Sequence, residues 1–195
     1  MTNLIESKIF ITLIFALLLS AIFFVLNQFL VMPWEKFEMP KLENPRLVVK
    51  KNERKLYVFD GEKLIKTYDI VLGFAPVGDK EREGDGKTPE GDFYIFTKNN
   101  QSKFYLSLGV SYPSTEDAER GLRENLILKE EHDTIIQAIN EKKMPPQNTK
   151  LGGEIYIHGG GIIKDWTDGC IALRNEEMKE LFDAVEVGTM IIIEP

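Results

Sequence analysis

Nucleophilic cysteine chemistry is the first possibility that this sequence offers. The single cysteine, Cys170, follows Gly169 and lies twelve residues after His158, which closes an apolar run. Such a nucleophile needs a base within hydrogen-bonding reach and backbone N–H groups directed at the developing oxyanion. Gly169 allows a tight turn before the cysteine, and the glycines that begin at Gly159 allow close approach to the imidazole. The pattern predicts a Cys170–His158 pair, although a buried apolar cysteine and a structural histidine remain the alternative.

The composition excludes several other classes of function. The chain has 195 residues, with 24 Lys+Arg against 31 Asp+Glu and a net charge of −7. Binding of nucleic acid is therefore not expected, because it requires a basic face that neutralises phosphates. One cysteine excludes an intramolecular disulfide framework and a Cys-cluster zinc site. We expect no metal and no cofactor.

The acidic segment 79–90 offers a weak rival interpretation, because Asp79, Glu81, Glu83 and Glu90 have a spacing similar to that of a calcium loop. Glutamate replaces the usual shorter residues at two ligand positions, and neither flank has a helical pattern. The segment is better interpreted as a solvated turn beside the active-site cleft.

The N-terminal region differs sharply from the rest of the chain. Residues 9–32 contain no Asp, Glu, Lys or Arg, and their 24 residues are enough to cross a bilayer core of about 30 Å as a helix. No small-residue cleavage site follows, so the pattern favours a retained transmembrane anchor over a signal peptide, with Trp34 at the interface. Residues 1–8 would be a short tail, and the proline-rich segment 33–45 an extended linker.

Residues 46–195 are predicted to be one mainly β domain with a few inserted helices. Short apolar, aromatic or β-branched runs between turn residues predict seven strands: 47–49, 56–59, 68–72, 92–97, 104–110, 155–158 and 190–193. Ser114 has the sequence of an N-cap for a helical region that extends to about residue 144 and carries His132 on its surface. Asn175 is predicted to cap a short helix that reaches Phe182.

Three segments, in this order, give the sequence its resemblance to the L,D-transpeptidase catalytic-domain family of bacterial cell-wall enzymes. They are GDKEREGDGKTPEGDF at residues 78–93, the strand end IHG at 157–159, and DWTDGCIAL at 165–173. The segment YLSLGVSYP at 105–113 is similar to one branch of the family. The likeness covers about residues 47–194.

The resemblance implies a β-rich mixed-sheet sandwich that acts on peptidoglycan stem peptides. Cys170 would attack the carbonyl that precedes a terminal D-alanine, the D-alanine would leave, and an amine from another stem would resolve the thioester. His158 would be the base, held by a backbone carbonyl near Gly159, and amides around Gly169 and Cys170 would bind the oxyanion.

The sequence departs from the family pattern beside the cysteine. Asp168 stands where the family usually has histidine, and Ala172 where many members have arginine. Because an arginine is a natural carboxylate clamp, Arg174 is a candidate substitute, although it could equally be a solvated surface charge. Trp166, Thr167 and Asp168 are further candidate substrate contacts, and Trp166 either lines the groove or pins the loop.

These expectations leave three functions open. The first is transfer of the acyl group to an amine, with consequences for cell-wall organisation and cell shape. The second is a hydrolase (a carboxypeptidase, endopeptidase or amide hydrolase) that gives the same acyl-enzyme to water. The third is a wall-binding module without turnover. Because the substrate lies outside the cytoplasmic (inner) membrane, we expect a single-pass protein with its domain in the periplasm or cell envelope. The expected partners are stem peptides and that membrane, and a protein acceptor stays open.

Overall fold

The computed structural model describes residues 15–25 and 39–195. Residues 15–25 are helical (α1), and their apolar side chains are exposed, with Phe23 at 71%. The remainder of the predicted anchor, the predicted tail and residues 33–38 of the predicted linker lie outside the described residues. Within the described ranges, no helix has the length and apolar character needed to cross a membrane.

Residues 39–195 contain eight strands and three helices. The strands are β1 (Pro45–Lys50), β2 (Lys55–Asp60), β3 (Lys63–Asp69), β4 (Gly91–Ser102), β5 (Tyr105–Val110), β6 (Tyr156–His158), β7 (Ile171–Ala172) and β8 (Met190–Glu194). The helices are α2 (Thr115–Arg123), α3 (Lys129–Asn140) and α4 (Asn175–Ala184).

The eight strands form one mixed sheet in the order β3-β2-β1-β8-β4-β5-β6-β7. Neighbouring strands are antiparallel except for β1–β8 and β6–β7, which are parallel. The long strand β4 pairs with β8 through its first residues and with β5 through its later ones, so it belongs to both halves. Beyond β3, Val71 pairs with Ala172 and Gly73 with Thr167, which brings the two edges of the sheet together.

The predicted β-rich mixed sheet with few helices is confirmed, but its strands form one curled sheet instead of a sandwich of two. The shared strand β4 explains the difference, because it continues from one half of the sheet into the other. The third strand ends earlier than the predicted run 68–72, and β7 was not predicted, since two residues are too short to produce a recognisable alternation.

The main core is built on the central parallel pair of strands. Leu47 pairs with Ile191 and Val49 with Ile193, and all four side chains are at most 2% exposed. Leu42 is also buried in this core, so the folded domain includes the end of the segment that was predicted to be a linker. Alternating inward side chains of this kind are what the apolar runs of the sequence predict.

The helices carry a smaller core of their own and support the site. Ser114 caps α2 through a reciprocal capping box with Asp117, which confirms the predicted N-cap. α2 and α3 meet around Ala118, Ile135 and Leu151. His132, expected at the surface, has a side chain only 16% exposed, and its Nδ1 lies 2.9 Å from Asp133 Oδ1.

The prediction that Asn175 caps α4 is wrong. The N-cap residue is Arg174, and Asn175 is already the first helical residue. Its side-chain oxygen instead accepts a hydrogen bond from the amide of Gly160 at 2.9 Å. The helix start therefore holds the glycine loop that follows His158.

Candidate active site

Strand pairing brings Cys170 and His158 to the same cleft. β6 ends at His158 and pairs in parallel with β7, with His158 opposite Ala172 and Ile157 opposite Ile171. Cys170 directly precedes β7 and therefore lies beside Tyr156. Both Cys170 and His158 line a cleft of about 1000 Å³, a size that accommodates a peptide-sized ligand.

The sulfur of Cys170 makes two hydrogen bonds with the backbone. The amide of Tyr156 donates to Sγ at 3.4 Å, and the thiol donates to the carbonyl of Glu154 at 3.3 Å. Burial raises the pKa of the thiol to about 11; the Tyr156 N–H lowers it, while the nearby carboxylates of Asp168 and Glu154 raise it further. Cys170 is therefore a neutral thiol at rest, and a nucleophilic role for it requires a base.

His158 lines the same cleft and is the candidate for that base. Its side chain is buried, and Nδ1 lies 2.5 Å from the carbonyl oxygen of Gly159. Phe104 stacks on the imidazole with ring centroids 4.7 Å apart, and Trp166 packs at 5.5 Å with its plane at 64°. Burial lowers the pKa of His158, against the opposing effect of the Gly159 carbonyl. The imidazole is therefore neutral near pH 7 and able to accept a proton.

The loop after His158 needs glycine at its first position. A Cβ on Gly159 would lie 2.5 Å from Asn175 Oδ1 and 2.9 Å from the carbonyl of Phe104, too close for any side chain. Further along, Trp166 Nε1 donates to the carbonyl of Gly161 at 3.2 Å, and the same Trp166 ring lines the cleft. Trp166 thus has both of the roles that the sequence left open.

Gly169 gives the turn before Cys170 its shape. Its φ is +128°, and a Cβ there would lie 2.7 Å from the carbonyl oxygen of Lys87. Its amide donates to Thr167 Oγ1 at 3.3 Å, and that hydroxyl donates to the carbonyl of Cys170 at 2.7 Å. Thr167, a predicted substrate contact, is buried and holds this turn together.

Because the Gly169 amide is engaged within the turn, the N–H of Cys170 itself is the better candidate to bind an oxyanion. No acceptor for the Cys170 N–H exists among the residues that the structure describes. The sequence placed the oxyanion donors around both residues, and the geometry favours the second.

The two charged residues predicted as substrate contacts lie in different places. Asp168 is exposed and lines the cleft beside Cys170. Arg174 lies outside the cleft lining, and its guanidinium is 2.9 Å from Glu177 and 3.7 Å from Asp69. The surface-charge alternative therefore describes Arg174 better than the carboxylate clamp does.

The acidic segment 78–90 forms a wall behind the cysteine turn. Asp79 accepts the amide of Glu90 at 2.7 Å, and Asp85 accepts the amides of Glu81, Arg82 and Lys87. No group of three or more His, Cys, Asp or Glu side chains that could hold a metal ion occurs in the described part of the chain. The segment is a hydrogen-bonded turn, and the side chains of Asp79 and Asp85 are used to hold its backbone.

Three residues of the site were not found from the sequence. Phe104 covers His158, Glu154 offers its carbonyl to the thiol, and Lys80 is buried in the cleft wall. Glu154 has φ of +54°, which is uncommon for a residue other than glycine, and its carbonyl contact cannot be inferred from its charged side chain. The one available signal was the position of Lys80 within the 78–93 segment.

Comparison with known proteins places this geometry in a family. The family model of the L,D-transpeptidase catalytic domain matches residues 44–193, and the chain therefore belongs to that family. An Escherichia coli (strain K12) protein named "Putative L,D-transpeptidase YafK" is 27% identical over 145 residues, which are 72% of this chain and 45% of that protein. A Bacillus subtilis (strain 168) protein named "Putative L,D-transpeptidase YqjB" is 24% identical over 178 residues, 88% of this chain and 84% of that protein. The chain thus spans less than half the length of the first of these relatives.

Solved structures show the same fold. The helical cell shape determining protein Pgp2 from Campylobacter jejuni matches with a TM-score of 0.53 and 22% identity, over 77% of this chain and 47% of that one. Bd1075 from Bdellovibrio bacteriovorus matches with a TM-score of 0.50 and 25% identity, over 78% of this chain and 48% of that one. The chain therefore shares the fold of these two proteins over its larger part.

Proposed function

We propose that this protein is a peptidoglycan L,D-transpeptidase that forms an acyl-enzyme on Cys170. Membership of the family supports a function related to peptidoglycan. The observation that carries the finer proposal is that a neutral thiol and a buried, neutral imidazole line the same cleft. A wall-binding module without turnover would have no use for such a pair.

In the proposed first half-reaction, His158 Nε2 takes the thiol proton as Sγ attacks the carbonyl that precedes the terminal D-alanine. The carbonyl oxygen becomes an oxyanion, which the N–H of Cys170 stabilises. When the tetrahedral intermediate collapses, the C–N bond breaks, and the imidazolium returns its proton to the leaving amine of D-alanine. A thioester on Cys170 remains.

In the second half-reaction, an amine of another stem peptide attacks the thioester, and His158 takes the proton that this amine loses. The C–S bond breaks, a new amide bond forms, and the sulfur recovers its proton from His158. Water in place of the amine would give a free carboxylate, which is the hydrolase alternative.

The test incubates the full chain in detergent with tetrapeptide muropeptides and weighs the products. Transfer predicts a cross-linked dimer with the loss of one D-alanine, whereas hydrolysis predicts a tripeptide product alone. The Cys170→Ala variant should give neither. Wild-type protein that leaves every muropeptide unchanged, in the presence of amine acceptors, would refute the proposal.

We further propose that residues 9–32 anchor the protein in the cytoplasmic membrane with the domain on the outer side. The support is the uncharged 24-residue segment and the extracytoplasmic position of peptidoglycan. A reporter fused after Pro195 that is active only when exported should be active. Activity of a reporter that works only in the cytoplasm would contradict this orientation.

A role in cell shape follows from the proposed chemistry, because a change in stem-peptide cross-links alters the wall that sustains the shape. Cells that carry Cys170→Ala in place of the wild-type chain should change in outline or in muropeptide composition. Unchanged cells with an unchanged muropeptide profile would argue against this role.

A further inference from the structure

The 78–90 wall is held by two buried lysines that differ in position. Lys51 and Lys80 are each 2% exposed. Lys51 Nζ donates to the carbonyls of Gly78 and Thr88 at 2.6 and 2.7 Å and forms an ion pair with Glu90 at 2.8 Å. Lys51 does not line the cleft, whereas Lys80 does. Both lysines thus support the 78–90 wall, but only Lys80 lies on the side of the wall that faces the cleft and Cys170.

The ammonium of Lys80 is fixed by hydrogen bonds. Its Nζ donates to Asp85 Oδ1 at 2.8 Å and to the carbonyl of Arg82 at 3.0 Å, and it lies 5.9 Å from the ring centre of Tyr112. A charge this deeply buried is costly unless it is paired. Asp85 provides that pairing and fixes the position of the ammonium.

The aliphatic part of the Lys80 side chain lies against the backbone segment 152–154, which contacts the thiol of Cys170. A Cβ on Gly152 would be 3.3 Å from Lys80 Cε, so the absence of a side chain at Gly152 makes room for the lysine. Two residues later, the carbonyl of Glu154 accepts the thiol hydrogen of Cys170. The backbone segment 152–154 therefore lies between the side chain of Lys80 and Cys170 in the cleft wall.

The charged groups around Cys170 are mostly negative. Asp168 lies on its own loop and Glu154 on the segment before β6, and both carboxylates raise the pKa of the thiol, while Lys80 lowers it. Neutral His158 faces the cleft from β6, and the remaining charged side chains of the cleft lining are Glu83 and Lys103. A thiolate formed in such surroundings requires a compensating positive charge.

We propose that Lys80 is a positioning residue, whose ammonium, fixed by Asp85, stabilises the ionised sulfur of Cys170 across the cleft wall. This inference rests on the proposed role of Cys170 as the nucleophile. It concerns the electrostatics of the thiolate, and Lys80 itself need not touch the substrate.

Alkylation of the full chain by iodoacetamide tests the inference, because Cys170 is the single cysteine. The reagent consumes thiolate, so its rate reports the ionisation of Cys170 without any peptidoglycan. Lys80→Met should slow alkylation at pH 8 by about two- to tenfold and move the pH midpoint upward. Lys80→Arg, which keeps the charge, should recover much of the rate.

Two further variants separate this charge effect from loss of structure. Lys51→Met weakens the same wall from outside the cleft and should leave the midpoint unchanged. Asp85→Asn keeps a side-chain oxygen that can accept from Lys80 Nζ, beside the carbonyl of Arg82, but removes the negative charge that offsets the ammonium. It should therefore speed alkylation, the opposite sign to Lys80→Met. The inference is overturned if Lys51→Met matches Lys80→Met, or if Asp85→Asn slows alkylation or leaves it unchanged. Where Lys80→Met does not fold, the sign of Asp85→Asn decides. Because the experiment measures alkylation and not muropeptide turnover, a negative result leaves the acyl-transfer proposal standing.

Discussion

Nδ1 of His158 lies 2.5 Å from the carbonyl oxygen of Gly159, the residue that follows it. A carbonyl can only accept a hydrogen bond, so Nδ1 carries the proton and Nε2 keeps the free lone pair. The stacked ring of Phe104 and the edge contact of Trp166 restrict the imidazole to this orientation. The backbone therefore selects the tautomer that a general base requires.

The pH dependence of acylation follows from this pair. His158 must be neutral to act, and burial lowers its pKa below the ordinary 6.5. The rate should rise with pH through a midpoint below 6.5, and then stay level up to about pH 9, because the pKa of the Cys170 thiol is raised to about 11. Intact-mass kinetics of β-lactam acylation between pH 4.5 and 9.5 would measure it. A rate that falls between pH 7 and 9 would indicate a thiolate–imidazolium pair instead.

Removal of the proposed base, His158, should slow acylation far more than the loss of its packing contacts alone would. His158→Ala leaves the thiol with no group to take its proton, and acylation should slow by about a thousandfold or more. The same kinetics check this, with circular dichroism and a melting curve to show that the variant is folded. Acylation within tenfold of the wild-type rate would exclude His158 as the base.

Gly169 should not tolerate a side chain, and Gly188 provides the control that separates a steric clash from the cost of a positive φ. Gly169→Ala forces a Cβ against the carbonyl of Lys87 at 2.7 Å, in addition to the cost of a positive φ. Gly188 also has a positive φ, +94°, but open space around it. Gly188→Ala should cost about 1 kcal/mol of stability and keep acylation, whereas Gly169→Ala should lose acylation. Equal acylation by the two variants would show that the cysteine turn tolerates a side chain.

The Asp85 pair should make stability depend on pH in the acid range. Burial alone would raise the pKa of Asp85, but Lys80 and the three backbone amides outweigh it and hold the pKa at about 2, below the ordinary 3.8. A depressed carboxyl pKa stabilises the fold above about pH 4, and this contribution is lost as the pH falls towards 2. It amounts to about 2 kcal/mol.

Urea unfolding of wild type and Asp85→Asn should therefore differ by about 2 kcal/mol at pH 7 and converge as the pH approaches 2. Asp69→Asn is the matched control, because Asp69 is half exposed and its pair with Lys55 is open to solvent, so its effect should be smaller. A difference for Asp85→Asn that does not change with pH would place its effect in the turn geometry and not in the charge.

Much of the fold could be predicted because its strands carry strong local patterns. Leu47–Val49 and Met190–Ile193 are apolar runs, and their inward side chains, Leu47, Val49, Ile191 and Ile193, become the buried centre of the sheet. The curl could not be predicted, since it depends on Val71 meeting Ala172 across about a hundred residues of chain, a contact with no local signal. The same limitation hid β7, which exists only through its pairing with β6.

That Cys170 and His158 share a cleft could be predicted from residue type and neighbouring glycines, but their surroundings could not. Phe104 lies at the end of the β4–β5 hairpin, and nothing in its own neighbourhood indicates that it stacks on His158. Arg174 was a candidate because it lies four residues after Cys170; the start of α4 instead directs it to Glu177. Residue type and spacing in the sequence indicate which side chains could form the site, while the packing of the fold decides which of them come into contact.

The most direct test of the account is the intact mass of the full chain after incubation with a carbapenem, the acyl donor that the family resemblance suggests. The wild-type protein should gain the mass of one opened β-lactam, with the adduct on the peptide that contains Cys170, and folded Cys170→Ser should gain nothing. An adduct that persists in Cys170→Ser, or muropeptide turnover that persists in folded Cys170→Ala, would contradict the assignment of Cys170 as the nucleophile.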